Sequence, residues 1–325
     1  MGFNITELSG EKIDALIAAL EAIAPGLVTT SQAGKLAPNE ECIENGFIKL
    51  ATSLNMGLMS KQFAELLENP ETLVFTGGKS LTQNAGFHNS IYRGKNLGDS
   101  VTAEQYAAIS AGTFDDLFIG DYWVVQGVHW RIAAFDYWYG TGTKDDSCVT
   151  HHIVIVPDEL LTYGQMHNAT GLADGYAGSD FRTGNNNNEA RSAINNILED
   201  VFGNHVLEHE EILSTASTSG VVTAKDWRQS RFDLMSERMV YGCSIMTKTG
   251  TGVGSHLIDR TIDQCQLPLF RHDKSAMMVA EHKSWWLRNF ASGDAFCAVN
   301  RDGSAYYNYM TTSVPGFRPA FGIQG

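Results

Sequence analysis

Histidines and acids gather at two places in this chain. His151 and His152 are adjacent, and His205 and His209 stand beside Glu208, Glu210 and Glu211. Imidazoles four residues apart on a helix can share a zinc ion, as in the HExxH motif. Here Val206 occupies the position where that motif needs Glu. The pattern therefore reads as strand histidines that pair with backbone and acids. The five cysteines, Cys42, Cys148, Cys243, Cys265 and Cys297, are widely spaced and form no CxxC pair. That argues for free thiols rather than a zinc site or a disulfide framework. No metal and no cofactor is expected.

Other chemistries leave weaker marks. Gly77-Gly78-Lys79-Ser80 has the end of a phosphate loop, but Leu73 stands where GxxxxGK[ST] requires its first Gly. A connecting loop is the expectation. No GxSxG elbow is present. The acid pairs Asp115-Asp116 and Asp145-Asp146 are sequence neighbours, which face opposite ways on a strand and so share no site. They read as solvated turns.

The elements that would position these groups fall into two parts. In residues 1–75, Ile13, Leu16, Ile17, Leu20 and Ile23 form one helical stripe between Ser9 and Pro25-Gly26. A second helical stretch is expected over 39–67. This part reads as a helical docking or oligomerisation segment, and residues 76–325 as one larger unit. There, Thr102-Ala103-Glu104-Gln105 is a capping box opening a helix to Ser110. Phe118–Val125 and Val128–Asp136 flank Gln126-Gly127 and predict a hairpin. Alternation puts Val128, Trp130, Ile132 and Ala134 on one face. His151–Pro157 reads as a buried strand. Asn187–Phe202 reads as a helix with Ile194, Ile197, Leu198 and Val201 on one side, ending at Gly203. Val206–Leu213 suits either a strand or a helix start, and short strands are expected from 227 onward.

Composition narrows the class. The 325 residues carry 23 Lys+Arg against 37 Asp+Glu, a net charge of −14, and are 43% hydrophobic. That is too apolar for a disordered chain and too acidic for a nucleic-acid binder. No stretch reaches the length of a membrane span, and the start lacks the pattern of a signal peptide. Residues 260–325 differ from the rest, with seven bases against five acids and many aromatic residues.

That closing block carries the most specific motifs. It holds Trp285-Trp286-Leu287-Arg288, then Asn300-Arg301-Asp302-Gly303-Ser304-Ala305-Tyr306, then Gly316-Phe317-Arg318-Pro319-Ala320-Phe321. Asn300–Ser304 is a tight turn between strands, with Asp302-Gly303 suited to positive φ. Arg288 and Arg318 sit beside large aromatics, on which guanidinium planes stack, or pair with buried acids. These motifs resemble the close of a C-type-lectin-like domain family of phages and prophages, distantly similar to the sulfatase-modifying-factor fold. Phe232–Gly242 resembles the same family's central segment, and Ser90–Gly98, Gly112–Trp123 and Val128–Ala133 resemble virion-associated phage proteins.

The resemblance implies an α+β protein: an N-terminal helical segment followed by a C-type-lectin-like domain of mixed helix and antiparallel β-sheet. It implies a non-enzymatic virion protein that binds a host-surface glycan or protein; the apolar stripe of residues 1–75 suggests docking on other capsid or tail proteins, and the usual symmetry of surface assemblies suggests a homo-oligomer. Carried over by motif position, the ligand surface comprises Asn289, Phe290, Asp294, Arg301, Tyr306, Tyr307, Asn308 and Tyr309. Trp285, Trp286, Arg288, Asp302, Gly303, Gly316, Phe317 and Arg318 form its structural frame. Two alternatives remain: a capsid or tail decoration protein without a receptor role, and a virion-associated hydrolase using the His151/His209 region.

Overall fold

The computed structural model describes residues 74–75, 79–80, 84–169, 172–248 and 265–325. The helices expected within 1–75, and Cys42, lie outside these residues. The chain divides into two compact units, Met1–Thr82 and Gln83–Gly325. In the first, β1 (Val74–Phe75) pairs antiparallel with β2 (Lys79–Ser80). The lysine and serine of the phosphate-loop-like run thus lie on a strand.

The second unit is mixed α+β and mostly β. Its helices are α1 (Ala85–His88), α2 (Ala103–Ala111), α3 (Asp180–Thr183), α4 (Ala190–Phe202), α5 (Glu237–Tyr241) and α6 (Pro268–His272). One five-stranded antiparallel sheet has the order β3-β4-β5-β14-β9. These are β3 (Tyr122–Val125), β4 (Val128–Phe135), β5 (His152–Pro157), β14 (Pro319–Gln324) and β9 (Phe232–Leu234). A second sheet has the order β12-β11-β10-β13-β6. These are β12 (Ala305–Met310), β11 (Ala295–Val299), β10 (Trp285–Phe290), β13 (Gly316–Phe317) and β6 (Thr162–Tyr163). Its pairings are antiparallel except β10 with β13. A separate ribbon joins β7 (His209–Thr218) to β8 (Val221–Ser230).

The local reasons are visible in the sequence. Thr102 and Gln105 close the capping box, and α2 ends at Gly112 in the left-handed region. The β3–β4 hairpin turns through Gln126 and Gly127, both at positive φ, as a two-residue turn with the twist of the strands requires. The first strand begins at Tyr122 rather than Phe118, because Asp121 is fully buried and accepts from Arg93, Lys95 N and Phe118 N. Its carboxylate takes up the donors that a ladder would otherwise use. In β4 the alternation expected for Val128, Trp130, Ile132 and Ala134 breaks at a bulge after Ile132, and Ala133, Ala134 and Phe135 are all buried.

Helix α4 begins three residues later than expected. Asn186 and Asn187 sit at φ of 53° and 58°, outside the helical region. Its buried residues are Ile194, Leu198 and Phe202, with Ile197 and Val201 at the margin. Phe202 meets Trp130 and Phe321, which seats the helix on the first sheet. The segment after His209 is a strand, and β8 is a ten-residue strand rather than a short one.

The tip of this ribbon is wedged against the second sheet. A Cβ on Gly220 would lie 2.2 Å from the Ser292 backbone, and Gly220 has φ of 81°. Gly127, at φ of 79°, has open space around it. Gly127→Ala should therefore cost only the left-handed backbone penalty, about 1–2 kcal/mol. Gly220→Ala should cost clearly more, because ribbon and sheet must also separate. Urea unfolding of both variants measures the difference, and equal losses would contradict the wedge.

Candidate functional site

The closing block folds as a frame with an exposed edge. Trp285 and Trp286 are fully buried and donate from Nε1 to Met277 O (3.1 Å) and Gly164 O (2.9 Å). Phe317 stacks on Phe181 with ring centroids 4.2 Å apart. Gly316 sits against Leu160, whose Cδ1 would lie 2.3 Å from any Cβ. In the β11–β12 turn, Asp302 Oδ1 accepts from Ser304 N at 3.0 Å, and Gly303 has φ of 83°. The turn has the form its sequence demands.

The two arginines divide the roles that sequence left open. Arg318 stacks over Trp285 at 5.2 Å and donates to Pro157 O (2.6 Å) and Ala276 O (2.7 Å). Burial lowers its pKa to about 10. Arg288 donates from Nη1 to Glu211 Oε2 at 2.5 Å.

The proposed ligand residues do not form one loop surface. Asn289 and Phe290 belong to β10. Asn289 Oδ1 accepts from Glu237 N at 2.6 Å, and Phe290 packs on Phe296 within the core. Both act in the frame. Asp294 lies in the β10–β11 turn and Arg301 in the β11–β12 turn, at opposite ends of β11. Five residues of strand separate these ends by about 17 Å. What connects them is β12, an edge strand that runs from the Arg301 turn back to Ala295, which pairs with Met310.

Strand β12 carries a bulge. Ala298 pairs with Tyr306 and Phe296 with Tyr309, so Tyr307 and Asn308 both oppose Cys297. The bulge breaks the alternation, and Tyr307 (55% exposed) and Met310 (42%) both reach solvent. Tyr306 is half-buried, with its ring 6.3 Å from that of Tyr307. Asn308 and Tyr309 contribute backbone to the same edge.

The histidines separate. His205 stacks on Tyr106 with centroids 3.6 Å apart and its Nδ1 lies 3.0 Å from Gln324 O. His209 is on β7, buried against Trp138, with Nε2 3.2 Å from Glu211. His151 Nδ1 meets Asp136 Oδ2 at 2.7 Å, and His152 stacks on the other partner of this group, Trp138. Histidines pairing with acids and backbone is what the sequence suggested. Among the described residues no three His, Cys, Asp or Glu are placed to hold a metal. Cys148, Cys243, Cys265 and Cys297 are free thiols. Asp115 and Asp145 are exposed at turns.

A polar cleft was not foreseen. It encloses about 680 Å³ between α3, the start of α4 and the β8–β9 corner, and a smaller one of about 390 Å³ lies across the Asn185–Asn188 segment. Behind the larger cleft, Asp233 is buried and accepts from Tyr176 (2.8 Å), Ser230 (2.5 Å) and Arg191 (3.1 Å), with Arg182 Nε also 3.1 Å away. The run of four asparagines was its only sequence signal. The arginines that line it, Arg182, Arg191 and Arg231, are scattered along the chain.

Comparison of the chain with protein-family models, with curated proteins and with solved structures gives no match. No helix among the described residues is long and apolar enough to cross a membrane.

The buried cluster behind β5 and β7 has a pH dependence with a defined sign. Burial lowers the His152 pKa to about 3 from 6.5. Its Nε2 takes Trp138 N (3.1 Å), and its Nδ1 lies 2.9 Å from Thr150 O. Burial raises the Glu211 carboxyl, but the Arg288 charge and the His209 hydrogen bond outweigh it and leave the group below its usual range. In both cases the unfolded chain takes up the proton first, so stability is full above the unfolded value and falls with pH. His152 contributes from 6.5 downward and Glu211 from 4.5 downward. An NMR titration should show a His152 ring that stays neutral until pH approaches 3. Titration near 6.5 would contradict its burial.

Proposed function

We propose that the chain is a phage virion display protein of lectin-like class that binds a host-surface glycan or protein through its bulged β12 edge. The observation that carries this reading is Tyr307 and Met310 standing exposed on an edge strand, beside half-buried Tyr306, above a core of fully buried tryptophans. Tyrosine offers a rigid aromatic face and a hydroxyl at low entropic cost, which suits recognition. The bulge also disfavours edge-to-edge pairing with another sheet, so the strand stays open for a ligand. Arg301 and Asp294 flank the strand at its two ends. Docking through residues 1–75 and assembly as a homo-oligomer complete the proposal, since an array multiplies weak contacts.

Labelled full-length protein should bind host cells, and Tyr307→Ala should weaken that binding about tenfold or more, as loss of an aromatic anchor does. The protein should also be present in purified particles by mass spectrometry. Its absence from particles would end the virion reading. Binding to cells that is indifferent to Tyr307→Ala would end the role given to β12.

A further inference from the structure

The larger cleft has a lining unlike that of an anion site, despite its arginines. Arg182, Arg191 and Arg231 line it, but so do Glu189 and Glu208. Asp233 pairs with Arg182 and Arg191 from behind, and Glu199 pairs with Arg231 at 2.7 Å. Three guanidiniums therefore face four carboxylates. A phosphate or sulfate gains no net attraction here, because the positive charge is already compensated.

The same pairing fixes donors in place. Arg182 donates from Nη2 to Gln229 O (2.7 Å), and Arg191 from Nη2 to Phe232 O (2.8 Å). Arg231 Nη1 is held by Asn195 Oδ1 at 3.1 Å as well as by Glu199. Held this way, guanidinium forks lose little entropy on binding a ligand. Among the described residues nothing accepts from Arg182 Nη1 or Arg231 Nη2. Glu208, exposed at the rim, supplies acceptors. Asn187 and Asn188 line both clefts, and Asn186 and Asn187 are held at positive φ.

Fixed donors interleaved with acceptors, without net positive charge, match a molecule whose every group both donates and accepts. Hydroxyls do this. The volume is in the range that holds a small ligand, about 300–1,000 Å³. We infer that this cleft binds a neutral, hydroxyl-rich sugar, at a site separate from the β12 edge.

The test uses the full chain on an array of neutral, sialylated and sulfated oligosaccharides, with the strongest ligands titrated by calorimetry. Ser192 is exposed on the first turn of α4 at the cleft wall, so Ser192→Trp fills the site from a surface position. Asn195→Ala removes the amide that holds Arg231 and serves if the tryptophan variant fails to fold. A neutral sugar should bind, and either variant should weaken it about tenfold or more. Three results overturn the inference: no neutral sugar binds, only charged sugars bind, or neutral-sugar binding survives both cleft variants. If it survives them but falls with Tyr307→Ala, the sugar belongs to the β12 edge, and the proposed function stands without the cleft.

Discussion

Between β13 and β14 the chain passes from the second sheet to the first through a single residue, a buried arginine. Arg318 separates β13 in the second sheet from β14 in the first, where β14 lies between β5 and β9. Its guanidinium meets main-chain carbonyls at the end of β5 and in the turn before β10, between the rings of Trp285 and Phe270. The nearest carboxylate, Asp158, stays 3.8 Å away. A buried cation so held is costly to leave unpartnered, so three segments must arrive together for it to be accommodated. The lowered pKa of Arg318 is the trace of that burial.

Buried acids do the complementary work for the irregular segments. Asp121 gathers the 93–95 and 118 donors, and Asp233 gathers Tyr176, Ser230 and two arginines. Glu237 is fully buried and accepts from the backbone N–H groups of Ile245, Met246 and Thr247. Loops leave backbone donors without ladder partners, and buried donors need acceptors. Asp121 and Glu237 each therefore fix a loop as a strand partner would, while Asp233 gathers side chains instead. The candidate surfaces depend on these anchors. Asp233 stands behind the polar cleft. Glu237 is tied through Asn289 to β10, next to the bulged hairpin.

Much of the local structure was legible in the residues. The capping box at Thr102, the Gln126-Gly127 hairpin, the strand ending at Pro157 and the turn at Asp302-Gly303 each follow from chemistry within five residues or so. The anchoring tryptophans of the closing block were also legible, but which of its arginines stacks on a ring and which pairs with an acid was not. The long β7–β8 ribbon was missed because Ser214–Ser219 is a run of small and polar residues with little apolar alternation. Its register comes from the pairing itself and from the wedge of Gly220 against Ser292. The start of α4 was misplaced because asparagine tolerates the left-handed region without announcing it.

The candidate site shows the same division more sharply. Residue types alone settle which segments make tight turns, that Trp285, Trp286 and Phe317 are anchors, and that β-rich segments dominate the second unit, since those follow from side-chain size and backbone preference. Only the tertiary structure decided that Phe290 and Asn289 serve the frame, that Asp294 and Arg301 stand at opposite ends of a strand, and that a bulge turns Tyr307 outward. Only it brought Arg182, Arg191 and Arg231 to one cleft. Spacing along a chain fixes the face of a single element. Which faces meet, and which charges cancel where they do, depends on long-range packing that no local pattern encodes.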